Sequence, residues 1–190
     1  MVLSDRGVEP PDPLREEDVE ISLFTPLTNG EKFSCGNADL DRFILTEEAA
    51  RIEREDLGRT YLVRCRGHLA AYLTLSVDAL RMESLRTWTE FDHLSRLRIE
   101  TMPAIKIGRL AVARQFQSRG LGRHLVNYVV GLATVIREQA GVRLVLLEAK
   151  PDSLGFYERC GFRRAFPTRR ERARRNRTMF LDLHSVPSAG

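Results

Sequence analysis

The chain has 190 residues, 43% of them hydrophobic and 29% charged, which is enough apolar material for one packed domain and argues against a disordered polymer. Its net charge of +4 is local: eight arginines against one glutamate lie between Arg163 and Arg177, and the remainder is mildly acidic. Three cysteines (Cys35, Cys65, Cys160), no apolar signal-peptide run and no stretch near the roughly 20 apolar residues of a membrane span point to free thiols in the cytoplasm.

Residues 1–18 hold three prolines and many charges and read as a flexible tail, with a domain over 19–184 and a short tail over 185–190. Val19 to Phe24 alternates as a first strand. Phe33 to Asn37 reads as a turn, with Asn37 as N-cap of a helix whose stripe of Leu40, Phe43 and Ile44 runs on toward Ala50 and Ile52. Tyr61-Leu62-Val63 and Leu69 to Leu75 flank an Arg66-Gly67 turn and predict a hairpin. Asp78 to Met102 has a mixed pattern, with a short helix over His93 to Leu97 at most.

Ala104 to Val112 reads as a strand in which Gly108 marks a bulge or a close backbone approach. Leu121, Leu125, Val129, Leu132, Ala133 and Ile136 share one face of a long helix. Val142 to Leu147 suits a buried central strand, and Ser153 to Cys160 a short helix stopped by Gly161. Phe162 to Phe166 and Arg177 to Leu183 close the chain as strands. The order β-α-β-β-(α)-β-α-β-α-β-β predicts an α/β domain with a mixed sheet and helices on both faces.

Gln117-Ser118-Arg119-Gly120-Leu121-Gly122 lies between a strand and a helix. A helix start offers unpaired N–H groups and partial positive charge, and glycines at 120 and 122 let an anion approach the backbone. Arg119 and Arg123 add formal charge, which suits a diphosphate. Neither the dinucleotide fingerprint nor a P-loop is present, and two glycines at a helix start are by themselves a weak signal.

Together, Ile107 to Val112 and Gln117 to Gly122 resemble motif A of the GNAT superfamily of N-acetyltransferases. Phe156-Tyr157-Glu158-Arg159-Cys160-Gly161-Phe162 resembles its F-Y-x-x-x-G-F motif. Upstream, Phe33-x-Cys35-Gly36-Asn37, Leu40-Asp41-x-Phe43 and Arg59-Thr60-Tyr61-Leu62-Val63 are similar to a bacterial subgroup that includes toxins acetylating aminoacyl-tRNA. The resemblance implies a mostly antiparallel sheet with a splayed central strand pair, and acetyl-CoA as cosubstrate. Leu110, Ala111 and Val112 would border the pantetheine arm. The N–H groups of Arg119, Gly120, Leu121, Gly122 and Arg123 would hold the pyrophosphate, with Gln117, Ser118 and Ser153 in the same cofactor site. Tyr157, which position alone would make a core aromatic, would protonate the departing thiolate.

Two positions depart from the superfamily's pattern. Lys106 stands where some members carry a glutamate base, and Lys150 where many carry an asparagine. The base is therefore unassigned, with Glu148, Glu100 and Glu83 as candidates beside solvent water. Arg109, inside an apolar strand, is expected to pair with a buried acid. Cys65-x-x-His68 lacks a second pair of ligands, so no metal is expected. Arg169, Arg170, Arg172, Arg174 and Arg175 could neutralise tRNA phosphates, but a solvated loop fits slightly better because no aromatic side chain lies between Phe166 and Phe180. The leading expectation is a small or protein amine as acceptor, in a monomer or homodimer. Aminoacyl-tRNA in a toxin-like role, or a non-catalytic acyl-CoA-binding or RNA-binding module, are the alternatives. The acceptor would be read by Ala79 to Met102 and the loop after Phe166.

Overall fold

The computed structural model describes residues 16–27, 31–168, 172 and 174–186. Most of the expected N-terminal tail and residues 187–190 of the C-terminal one lie outside them. The elements are β1 (Val19–Leu23), α1 (Ala38–Leu45), α2 (Glu47–Arg54), β2 (Arg59–Cys65), β3 (His68–Arg81), β4 (Thr101–Val112), α3 (Leu121–Ala140), β5 (Leu144–Ala149), α4 (Leu154–Arg159), β6 (Arg163–Arg164) and β7 (Arg177–Asp182). The strands form one seven-stranded sheet in the order β1-β2-β3-β4-β5-β7-β6. Every pairing is antiparallel except β4 with β5.

The local signals act as expected in several places. The Asn37 side chain accepts from the Leu40 N–H at 3.2 Å and starts α1. Arg66 and Gly67 both take positive φ, 49° and 78°, the backbone a two-residue hairpin turn requires. Gly141, at φ 69°, ends α3.

Elsewhere the structure corrects the sequence reading. The apolar stripe from Leu40 to Ile52 is two helices, because Thr46 takes an extended backbone and caps α2 with its own side chain. β3 runs to Arg81, six residues past the expected end; there the polarity is inverted, with Val77 86% exposed and Ser76 and Asp78 half-buried. The stretch without a firm assignment holds two 3-10 segments, Met82–Leu85 and Thr89–Leu97. β6 keeps only two residues, since Phe166 donates its N–H to Ser84 O at 2.8 Å and not to the sheet.

The helices cover both faces. Tyr128 of α3 meets Tyr61 of β2 edge-on at 5.8 Å. Phe43 of α1 stacks on Tyr72 of β3 at 5.7 Å, and the Tyr72 hydroxyl donates to Leu40 O. Tyr72 pairs across the ladder with Leu62, the neighbour of Tyr61, so α1 and α3 lie on opposite sides. A second cluster, including Leu85, Phe91, Leu144 and Phe180, closes the lower part of the sheet.

A buried ion pair locks the end of β7. Arg143 donates to both Asp182 carboxylate oxygens, at 2.7 and 2.9 Å, and the His184 N–H donates to the same group at 2.9 Å. Burial by itself would raise the Asp182 pKa, but these donors outweigh it and hold it below the usual carboxylate range. Asp182→Ala leaves Arg143 buried and unpaired, and is expected to cost about 3 kcal/mol in urea unfolding. A carboxyl whose folded pKa is depressed stabilises the fold above its unfolded pKa of about 3.9, and the contribution is lost as pH falls through the folded value. The variant should therefore show a flatter acid limb than the wild type in the same titration.

Candidate active site

The site begins with a fork in the sheet. Thr74 of β3 faces Arg109, while Leu75 faces Ile107, so Gly108 is one residue extra on β4. The bulge expected there is present. A close approach is not, because a Cβ on Gly108 would lie 3.7 Å from Thr74 O, an ordinary contact. Pairing of β4 with β5 covers only Ala104–Ile107 against Leu144–Leu147. Beyond it β5 bonds β7 alone.

The direction of the open backbone follows from register. Ala113 donates its N–H to Ala70 O at 2.8 Å, so Ala111 and Arg109 also face β3. Leu110 and Val112 therefore turn their N–H and C=O groups into the fork. Val112 O is taken by the Gln117 side-chain amide at 2.8 Å, and the same amide nitrogen donates to Cys35 O at 2.9 Å. Gln117 thus ties the loop to the strand it follows.

That loop delivers a set of N–H groups to the fork's mouth. Ser118 and Gly120 have φ values of 60° and 84°. The α3 ladder opens with the His124 N–H on Gly120 O, so the N–H groups of Leu121, Gly122 and Arg123 point out of the helix start. The two glycines serve different needs. Gly120 has open space around it and is required by its φ, whereas a Cβ on Gly122 would sit 3.2 Å from the Phe156 ring of α4. Arg123 reaches Arg159 O at 3.0 Å and joins the start of α3 to the end of α4.

A cavity of about 710 Å³ collects these parts. Leu110 and Val112 line it from β4; Gln117, Ser118, Gly120, Leu121, Gly122 and Arg123 from the loop and α3; Ser153 and Tyr157 from the α4 side. Two sequence candidates do not line it. Ala111 is buried in the core, and the guanidinium of Arg119 lies 6.0 Å from the Phe116 ring. Phe116, Asp152, Phe156 and Arg159 line it without having been singled out. Only Phe156 and Arg159 carried a sequence signal, as parts of the F-Y-x-x-x-G-F segment.

Tyr157 sits between Phe156 and Phe162, with ring centroids at 5.0 and 5.7 Å. Burial pushes its hydroxyl pKa up to about 12, so it is a neutral phenol throughout the physiological range. The thiols nearby are poor nucleophiles. Burial raises Cys160, and burial with the neighbouring Asp41 raises Cys35 to about 11. Cys65 and His68 are cross-strand partners in the hairpin, and no metal-ligand cluster exists among the described residues.

At the base of the fork lies a charged array. Lys106 Nζ is 3.0 Å from Asp78 and 3.6 Å from Glu148, which Arg174 approaches at 3.7 Å. Burial would lower the Lys106 pKa, but the two carboxylates outweigh it and hold it above its ordinary value. Lys106 is therefore a fixed cation. Of the candidate bases, Glu148 stands at the fork, Glu83 pairs with Arg81 at 3.5 Å, and Glu100 is exposed before β4. Lys150 is exposed in the turn before Ser153. Arg109 stacks over the Phe43 ring at 3.8 Å, where a buried acid was expected. Arg169 and Arg170 lie outside the described residues; Arg172, Arg174 and Arg175 are exposed.

A family model described as N-acyl amino acid synthase FeeM matches residues 45–183. A tRNA-acetylating toxin of Mycobacterium tuberculosis (strain ATCC 25618 / H37Rv) is 28% identical over 124 residues, 63% of this chain and 69% of that protein. Among solved structures, a bacterial toxin superposes with a TM-score of 0.75 at 23% identity, covering 87% of this chain and 91% of that one. AtaT complexed with acetyl-methionyl-tRNAfMet gives 0.74 at 21%, covering 88% and 96%. A tyrosine-to-phenylalanine mutant of KacT gives 0.74 at 22%, with the same coverage. Among the described residues no helix is long and apolar enough to cross a membrane. With the forked sheet, the helix start at its mouth and a family match over most of the chain, this protein belongs to the N-acyl amino acid synthase FeeM family and is an acyltransferase with the GNAT fold.

Proposed function

We propose that this protein transfers an acetyl group from acetyl-CoA to the α-amino group of an aminoacyl-tRNA. The observation that carries the reading is the convergence in one cavity of the open β4 backbone, the unpaired N–H groups of α3 and the Tyr157 phenol. An extended amide-bearing arm fits the first, a pyrophosphate the second, and a leaving thiolate the third. The relatives that act on tRNA favour that acceptor over the small or protein amine put first by sequence. The family's description favours a second reading, in which a free amino acid supplies the same α-amine.

In the reaction the neutral amine attacks the thioester carbon and the C–S bond breaks. Tyr157 gives its phenolic proton to the thiolate sulfur and regains one as the amine nitrogen sheds its own. Leu110 and Val112 orient the thioester arm. The N–H groups of Leu121 to Arg123 balance the diphosphate charge. Glu148, held between Lys106 and Arg174, fits the docking of an incoming ammonium better than the role of a free base. Acetylation from labelled acetyl-CoA, compared between charged tRNA, uncharged tRNA and free amino acids, tests the acceptor. Label incorporated only into free amino acids would replace the first reading with the second.

Gly120→Val puts a branched residue at φ 84° and beside the N–H groups. It should weaken acetyl-CoA by at least about 2 kcal/mol, close to thirtyfold in Kd, by calorimetry on folded protein. An unchanged Kd would remove the pyrophosphate assignment.

Tyr157→Phe should leave acetyl-CoA affinity nearly intact and lower kcat about tenfold or more, since its hydroxyl acts as the thiolate charge develops. In the wild type, kcat/KM on an amine surrogate should rise as the α-amine loses its proton near about pH 8. It should then stay level to at least about pH 10, because the phenol keeps its proton until near 12. A fall between pH 8 and 10 would assign the acid to another group.

A further inference from the structure

Two segments far apart in sequence are docked together beside the fork. Phe166 donates its N–H to Ser84 O at 2.8 Å, the Trp88 indole donates to Arg164 O at 3.3 Å, and Arg163 pairs with Glu90. The rings of Trp88 and Phe91 both close on Phe180, at 5.8 and 5.9 Å. On the surface so formed, the Arg86 guanidinium lies 3.7 Å from the centre of the Phe166 ring, and Arg172, from the other segment, lies 5.8 Å from it. All three line a cleft of about 240 Å³. Among the described residues the one carboxylate there, Glu83, pairs with Arg81 at 3.5 Å. Two residues beyond Arg172, Arg174 reaches Glu148, the first β5 residue past the fork. A two-residue step spans at most about 7 Å, so cleft and fork are connected by one short run of chain.

We propose that this cleft binds the phosphate backbone of the acceptor RNA next to its aminoacyl end, with Arg86 and Arg172 as the ligands. The Arg86 guanidinium, resting on the ring, keeps its N–H edge free and has less rotamer freedom left to lose, so it is preorganised for a phosphate, and Arg172 at the ring's rim adds a second cation. The stacked planes also offer a surface to an unpaired base, which the loop sequence lacks after Phe166. An exposed cationic pair suits a polyanion, and the run to Glu148 leads the RNA end toward the thioester cleft. This surface rests on the aminoacyl-tRNA reading above.

The test is steady-state acetylation by the double variant Arg86→Gln/Arg172→Gln. Its two substrates are charged tRNA and methionine ethyl ester, an aminoacyl ester without RNA. The KM for charged tRNA should rise at least tenfold. The salt slope of tRNA binding should flatten by about 0.7–0.9 for each lost contact. kcat/KM on the ester should stay within twofold, which a merely structural loss would not allow. Arg172→Gln alone, on an exposed loop, carries the same test if the double variant does not fold. Unchanged KM and slope for charged tRNA would overturn the proposal while leaving the acceptor reading standing. An unchanged KM with weakened binding of poly-glutamate would give the face to an acidic protein partner instead. A wild type that acetylates the ester but never charged tRNA would overturn both.

Discussion

Hydrogen bonding between β4 and β5 stops after Ile107 and Leu147, and the extra residue Gly108 sits where it stops. A sheet normally satisfies its interior backbone by lateral pairing, and an interior strand with open groups is costly. Here the pairing is withdrawn from Leu110 and Val112 while β3 still holds the other edge of β4. The strand therefore stays held along that edge beyond the bulge, and offers a ladder to a ligand with amides of its own. Most of the rest of the molecule serves to keep this fork open. β5 is held away by β7 along six residue pairs, and β7 is in turn pinned by the Arg143–Asp182 pair.

The second requirement is to bring a helix start to the mouth of the fork at fixed distance. The Gln117 amide clamps the loop to Val112 and Cys35, so the positive φ values at Ser118 and Gly120 are imposed by a hydrogen-bonded frame. Arg123 and Gly122 then lock α3 against α4. The same contact carries Tyr157 into the cavity wall. The start of α3 and the Tyr157 phenol, proposed above to hold a diphosphate and to give a proton, are thus coupled mechanically through one helix–helix contact, although Gly122 and Tyr157 are 35 residues apart in sequence.

Charge is segregated by position. The cleft proposed for the thioester has N–H groups and a neutral phenol, which suits a site where negative charge must form on sulfur and then be quenched. The base of the fork instead carries Asp78, Lys106, Glu148 and Arg174 in alternation. An alternating array of this kind has little net charge, so it can hold a zwitterionic or amino-bearing group in register without a large field. Farther out, on the surface where two distant segments meet, Arg86 and Arg172 add positive charge.

Sequence alone determined the elements that obey a local period or a local cap. The hairpin at Arg66-Gly67, the Asn37 cap, the apolar face of α3 and its glycine start at Gly120 follow from side-chain spacing and from the φ values that glycine permits. The bulge at Gly108 and the place of Tyr157 were legible because their motifs are short and contiguous. Tertiary structure decided whatever depends on residues brought together from afar. The division of α1 from α2 required Thr46 to favour its own cap over the helix ladder. Ala111 left the site because strand alternation turns its backbone to β3 and its side chain into the core. Arg109 found the Phe43 ring, since the packing of α1 on the sheet set an aromatic face beside it. The union of residues 82–97 with the arginine-rich segment had no local signature at all, because its contacts join side chains about 80 positions apart and only the packed sheet beneath them sets their separation.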